Sequence, residues 1–464
     1  MMETIHIYHT NDIHSHFENW PQINRLLIDK RKEHEAAGDT FYLFDIGDNV
    51  DRSHAFTEGT KGKGNIRLLN EAGYDAVTIG NNEGITMSKE ALSSLYDDAE
   101  FDIILGNLVD LDGEFPHWAT EYKIYVTEKG TKIGVIGATA LYTQFYATLG
   151  WKILPPREKL IEIAEKIASK TDILICLSHM GLNEDEKLAK ECPLIHVILG
   201  AHTHHLFTDG EFVGHTLLAA TGKYGDFTGH VTIEFDEVTK QIANMEATLY
   251  PSETLPVNED DVQKLNTILD LGKQAMQEKL FYNPSLLKQN LFAPSPLSAF
   301  FGRSLIDYTK ADCAMFNAGI FLGSLDSGWV TKEDMHSLLP HPINVCVISL
   351  EGTELLEIHE LSLNEDWPKI TVKGLGFRGA LMGAMLYERL YKNRYGQLFA
   401  GNREVVPGEI YTLATLDMFT FGFFFPSLQY AKKDYYMPEL IRDIASDYGR
   451  KYFKESKAPP EHNL

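Results

Sequence analysis

Short apolar runs alternate with segments whose apolar positions return every three or four residues through the first half of the chain. The runs predict strands at residues 5–8, 40–44, 76–79, 101–105, 173–177, 196–199, 217–220 and 229–235. The periodic segments predict helices at 66–70, 89–96, 160–169 and 184–190, and Ile23, Leu26 and Leu27 with residues 31–37 add another. YKIYV and KIGVIGA, joined by TEKGT, predict a hairpin with Gly130 in its turn. Strands and helices taking turns, with hairpins added, predict an α/β chain on mixed sheets.

The texture changes near residue 245. MEATLYPSETLPVNEDD is polar and carries two prolines, and Val262, Leu265, Leu269, Ala275 and Met276 then follow a helical period. This organisation places a first domain at residues 1–250, a connecting helix at 256–282 and a second α/β domain at 283–464. In the second domain, ADCAMFNAG, INVCVISLEG and GEIYTLATLDMFTFGFFFP read as strand-like, and residues 381–394 as a helix.

With 464 residues the chain is long enough for two domains, and 44% hydrophobic residues exclude a disordered or low-complexity protein. Lys plus Arg is 42 and Asp plus Glu is 66, a net charge of −24. Such a chain has no general attraction for nucleic acid polymers or anionic membranes. The start, MMETIHIYHTNDIHSH, lacks the apolar core of a signal peptide, and no apolar stretch is long enough to span a bilayer. The expectation is a cytoplasmic protein without membrane partners. Cys176, Cys192, Cys313 and Cys346 form no dense pattern, so no disulfide scaffold is expected.

Five polar elements follow predicted strands: those holding Asp12 and His14, Asp45 to Asp48, Gly80 to Glu83, Ser178 to Gly181, and Gly200 to His204. Loops at the carboxyl ends of strands are where sites gather in α/β proteins. Their oxygen and imidazole donors, without thiolate, suit manganese, iron or zinc. Asp12 and His14 alternate, as do His202 and His204, so extended backbone would send each pair to one side. Asp48, beside small Gly47, could bridge two ions about 3.5–4 Å apart. One polar residue after a strand serves equally as a turn or cap. Five together point to ions.

HTNDIHSHF, LFDIGDNVD, VTIGNNEG, CLSHMG and ILGAHTHH resemble the motif series of the calcineurin-like metallophosphoesterases, in the order found in the 5′-nucleotidase family. MFNAG and the segment from GWVTKEDMH to ELLEI resemble that family's carboxyl-terminal substrate domain. The resemblance implies a four-layer α-β-β-α domain followed by a smaller α/β domain. It assigns one divalent ion (Mn, Fe or Zn) to Asp12, His14, Asp48 and His204, and a second to Asp48, Asn81, His179 and His202. The implied activity is hydrolysis of a nucleotide or related small phosphoester by attack of a metal-bound water. A monomer or weak homodimer is expected.

The chain departs from the family where the leaving group is protonated. The family's histidine and its supporting aspartate are here Asn82 and Ile85. An amide can donate a hydrogen bond to a phosphoryl oxygen but cannot deliver a proton to an alkoxide. Asn82 thus keeps a catalytic position without an acid. Three accounts stand: a slow or differently specific phosphoesterase, including cyclic phosphodiester cleavage; replacement of the acid by His205, His16 or His54; or metal and nucleotide binding without turnover. In the second domain, Asn317-Ala318-Gly319 runs on without the arginine that the family places nearby. Arg378 is the remaining candidate for phosphate, with a salt bridge as the alternative. Phe377, and Phe423 or its neighbours Phe424 and Phe425, are candidates to stack a base or to form ordinary core.

Overall fold

The structure, a computed structural model, describes residues 2–453 in two compact units that divide between Gly272 and Lys273. The first unit is built on two six-stranded mixed sheets. One runs, in order, Gln241–Pro251, Phe227–Asp236, Met2–Thr10, Thr40–Asp45, Ala76–Val77 and Asp102–Ile103. The other runs Glu211–Val213, Thr216–Ala219, Val197–Gly200, Ile173–His179, Lys132–Thr139 and Tyr122–Val126. Alternation along the strands sends Ile5 and Ile7 of the first sheet into one core with Val135, Ile175 and Leu199 of the second. The second sheet's other face buries Cys176 and Ile198 against Leu160 and Ile163 of helix Pro156–Ile167 and Leu188 of helix Leu182–Glu191. Helix Trp20–Ala37 packs on strand 40–45 of the first sheet.

Strands 2–10, 40–45 and 76–77 are parallel neighbours, as are 132–139, 173–179 and 197–200. Their carboxyl ends therefore deliver loops to one edge of each sheet. The hairpin of strands 122–126 and 132–139 forms as the pattern predicts, with Gly130 at φ 86°.

The second unit is an α/β domain on a five-stranded mixed sheet: Met385–Glu388, Cys313–Asn317, Ile410–Leu416, Asn344–Glu351 and Lys433–Leu440. Its core takes Phe300 and Phe301 from helix Pro296–Thr309 and Ile441 and Ile444 from helix Ile441–Tyr452. Among the described residues no helix is long and apolar enough to cross a membrane.

Three segments differ from the sequence pattern. The polar stretch near 245 lies in the 11-residue edge strand Gln241–Pro251, whose outer side is solvated, so its period is hidden under exposed residues such as Asn244 and Glu246. The helix after residue 256 spans Glu259–Ala275 and stops short of 282. There Lys279–Asn283 pairs as a strand with Gly328–Thr331. The helix expected at 381–394 is replaced by strands Met385–Glu388 and Leu390–Lys392, with Arg389 turning between them at φ 60°. Strand 385–388 completes a ladder with Cys313–Asn317, and that long-range pairing overrides the local period.

Candidate metal centre

The loops at the strand ends are held by each other. The N–H groups of Asp12, His14 and Ser15 donate to the carbonyls of Gly47, Asp48 and Asn49 at 3.0, 2.8 and 2.9 Å. Asp12, His14, Asp48, His202 and His204 all have left-handed backbone, with φ of 51°, 49°, 52°, 72° and 55°. Each such non-glycine residue costs of order 1–3 kcal/mol and persists only where its surroundings enforce it. The shared direction of Asp12 and His14 therefore arises from two left-handed turns, not from extended alternation. Gly80 permits the closest approach: a Cβ there would lie 2.0 Å from Asp48 Oδ1.

The donors converge. His204 Nε2 lies 3.4 Å from Asp12 Oδ1 and 3.1 Å from His14 Nε2, and His14 Nε2 lies 3.7 Å from Asp12 Oδ1. Asp48 Oδ2 is 3.6 Å from His14 Nε2 and 3.5 Å from His179 Nε2. Asp12, His14 and His204 form one group able to hold a metal ion, and Asp12, Asp48 and His179 another. His179 donates Nδ1–H to the Ile46 carbonyl at 2.7 Å, which turns Nε2 and its lone pair inward. Asn11 steadies Asp12 Oδ2 at 2.8 Å, and the His202 N–H reaches the same oxygen at 3.0 Å.

The chemistry of the donor set fits divalent ions. Asp12 Oδ1, Asn81 Oδ1 and His179 Nε2 are buried and find no hydrogen-bond partner among the described residues. Asp12 and His179 share one of the groups able to hold an ion, and orphaned polar atoms buried together are costly unless a cation satisfies them. Burial raises the pKa of Asp12, but His14, His204 and His179 outweigh it and hold the carboxyl well below its ordinary range. Burial likewise opposes charge on His179, yet Asp48 and Asp12 push it up to about 9. Burial pulls His202 down to about 4. A cavity of about 510 Å³, lined by Tyr142, Met180, Arg157 and His202 among others, adjoins the cluster.

Asn82 is buried and points its amide at His14, with Nδ2 2.8 Å from Nδ1, while its N–H donates to Asp48 Oδ1 at 2.7 Å. Ile85 is half-buried. The three histidines considered as substitutes for the acid have structural partners. His54 caps helix Ala55–Thr60 through the Phe56 N–H, His16 lies against Tyr224 and Glu18, and His205 bonds Thr203 Oγ1 at 2.9 Å.

In the second unit, Asn317 is fully buried and donates to the Met382 carbonyl at 2.8 Å. Phe377 is buried with its ring stacked on His341, 5.2 Å between centroids. Arg378 is half-buried, and its N–H donates to His341 Nδ1 at 2.8 Å. Phe423 is 75% exposed, with its ring edge-on to Phe424.

Two residues of the centre escaped sequence reasoning. Asp51 is buried with Oδ2 3.3 Å from His14 Nδ1. Glu83 accepts from the N–H groups of Gly80, Asp48 and Val50 at 2.8–3.0 Å, fastening two loops together. The available signals were the second aspartate of GDNVD and a carboxylate in the first turn of helix Asn81–Thr86.

Residues 5–206 match the model of the calcineurin-like phosphoesterase family. An uncharacterized metallophosphoesterase of Bacillus subtilis, YunD, is 38% identical over 458 residues, covering 96% of this chain and 98% of its own. Bovine 5′-nucleotidase is 22% identical over 415 residues, covering 77% of this chain and 71% of that protein. Among solved structures, a putative 5′-nucleotidase from Staphylococcus aureus superposes with a TM-score of 0.69 at 17% identity, over 98% of this chain and 97% of that one.

Proposed function

The chain belongs to the calcineurin-like metallophosphoesterases, hydrolases related to the 5′-nucleotidases, and on that premise we propose that it hydrolyses small phosphoesters of the nucleotide class with two divalent ions. The observation that carries the proposal is that Asp12 and His179, each with an orphaned buried polar atom, converge with Asp48 in one group able to hold a metal ion. Asp12, His14, Asp48 and His204 would hold one ion and Asp48, Asn81, His179 and His202 the other. Asp48 as the bridge is supported by the near-equal reach of its Oδ2 to His14 and His179. A four-layer α-β-β-α arrangement of the first unit is supported by the core common to both sheets and by the helices on the outer sides. The nucleotide class is supported by the likeness to 5′-nucleotidases along most of the chain.

Divalent ions in such a site supply Lewis acidity toward phosphoryl oxygens and acidify water. The protein's own residues do the rest. The Ile46 carbonyl fixes the tautomer of His179, and Glu83 holds the Asp48 loop against the Asn81 turn. The cavity beside His202 receives the organic part of a small substrate. Asn82 faces His14 and carries no acidic proton, so the leaving oxygen departs without a proton from this position.

The test is a rate comparison on manganese-loaded protein with an aryl phosphate, AMP and a cyclic nucleotide. The aryl phosphate should be cleaved faster than AMP by roughly 10²–10⁴-fold, the usual contribution of a general acid. Equal kcat values with chemistry rate-limiting would refute the missing-acid mechanism. Failure to cleave even the aryl phosphate would favour the second reading, binding without turnover, which rests on the same Asn82.

A further inference from the structure

A second cluster of imidazoles lies on the face of the first sheet turned away from the core between the sheets. Along strand 2–10, Ile5 and Ile7 enter that core, so His6 and Tyr8 face outward. Along strand 227–236, Val231 and Ile233 enter it, and His230 faces outward, directly paired with Tyr8 in the ladder. His34 comes from the last turn of helix 20–37. His6 Nδ1 is 2.9 Å from His230 Nε2, and one ligating nitrogen from each of the three histidines lies within 4.8 Å of the others.

We propose that His6, His34 and His230 form an additional binding site for a zinc-type divalent ion, separate from the phosphoesterase centre, with the Tyr8 hydroxyl at its rim and Asp39 facing the other ring nitrogen of His6. Two nitrogens bound to one tetrahedral zinc stand about 3.3 Å apart, close to the His6–His230 separation. The Tyr8 hydroxyl lies 3.1 Å from His34 Nε2. Asp39 Oδ2 lies 3.6 Å from His6 Nε2, the ring nitrogen opposite the one that faces His230, and so favours the tautomer that leaves Nδ1 free to ligate. The charged neighbours are Asp39 and Glu33, which favour a cation, and Lys30, which opposes it and is itself paired with Glu33 at 2.7 Å. Burial lowers the pKa of all three histidines, His230 to about 3, so neutral imidazoles present lone pairs at neutral pH.

The competing description is a hydrogen-bonded aromatic stack, with His6 on His34 at 3.6 Å and Tyr8 on His230 at 4.2 Å between centroids. Metal binding requires His34 to turn off that stack, and His34 is the half-buried member at a helix end. Once bound, the ion joins the outer helix to two adjacent strands. That makes it a structural staple whose binding free energy adds to folding stability.

The experiment titrates the full chain with Zn²⁺ against a chromophoric chelator and locates zinc by anomalous scattering in crystals of the wild type. Wild type should take up one equivalent more than His34→Gln, and zinc should raise the melting temperature of wild type more than that of the variant. His230→Gln should weaken that equivalent by roughly tenfold or more. Asp48→Asn should leave it intact, which separates this site from the phosphoesterase centre. Equal stoichiometry in wild type and His34→Gln would overturn the proposal. So would a wild-type anomalous map with no zinc at the triad, a result that does not depend on any variant folding.

Discussion

Replacing Asp51 by asparagine tests how His14 is held. A cation at His14 Nε2 needs the tautomer with its hydrogen on Nδ1, and two side chains reach Nδ1: Asp51 Oδ2 at 3.3 Å and the Asn82 amide at 2.8 Å. A carboxylate can only accept, so it enforces that tautomer, whereas an amide can present either end. Asp51 also helps to raise the pKa of His14 well above its ordinary value, although burial alone would lower it. Removing a carboxylate that orients a metal-binding histidine weakens the metal by roughly 10- to 100-fold. That is about 1.4–2.7 kcal/mol. The fold should lose less, about 1 kcal/mol, because the new amide oxygen can still accept the Ser53 N–H that Asp51 Oδ1 accepts at 2.8 Å. Manganese affinity by chelator competition, beside a urea melt of metal-free protein, measures both quantities. Unchanged affinity in Asp51→Asn, with a loss in Asn82→Ala, would transfer the orienting role to Asn82. Unchanged affinity in both would remove it altogether.

Two further predictions concern separate parts of the chain. Burial pushes the Asp417 carboxyl up to about 7, although it accepts the Asn344 N–H at 2.9 Å. The folded state therefore holds this proton longer than the unfolded chain, and its stabilising effect, full below the unfolded pKa, is lost as pH rises through about 7. Asp417→Asn should be more stable than wild type near pH 8 by at most about 4 kcal/mol, with the gap closing near pH 4. A gap that does not vary with pH across a series of melts would contradict the assignment. Gly80→Ala would put a methyl 2.0 Å from Asp48 Oδ1 and 2.4 Å from the Asp48 nitrogen, so metal content should fall. Stability should fall with it, by about 1–3 kcal/mol. Full metal occupancy by elemental analysis would mean that the loop yields more easily than its packing implies.

The proposed donors of the centre were legible because each follows an apolar run or ends one. Asp12 comes after strand 2–10, Asp48 after 40–45, Asn81 after 76–77 and His202 after 197–200, while His179 ends its own strand. The backbone that aims them was not legible, since nothing local in Asp-Ile-His announces two left-handed residues; the neighbouring loop imposes them. Asp51 was hidden because its partner, His14, belongs to another loop. The strands at 385–392 were hidden because Met385 and Leu386 fit a helical period as well as a ladder, and pairing with 313–317 decides between them. The histidine triad was invisible for a similar reason. His6, His34 and His230 are unremarkable outward positions until the register of strands 2–10 and 227–236 sets His230 opposite Tyr8.

The left-handed turns at Asp12, His14, Asp48, His202 and His204 have a consequence for metal choice. A loop of ordinary backbone can shift by a few tenths of an ångström and accept ions of different radius and coordination number. Here the loops are already in sparsely populated conformations and are tied to one another through main-chain hydrogen bonds. Adapting to a larger ion would mean breaking those ties in several loops together. With the ligands proposed above, discrimination between ions would rest on donor spacing more than on donor softness. An ion such as calcium, with long bonds and irregular geometry, should be rejected although the carboxylates alone would welcome it.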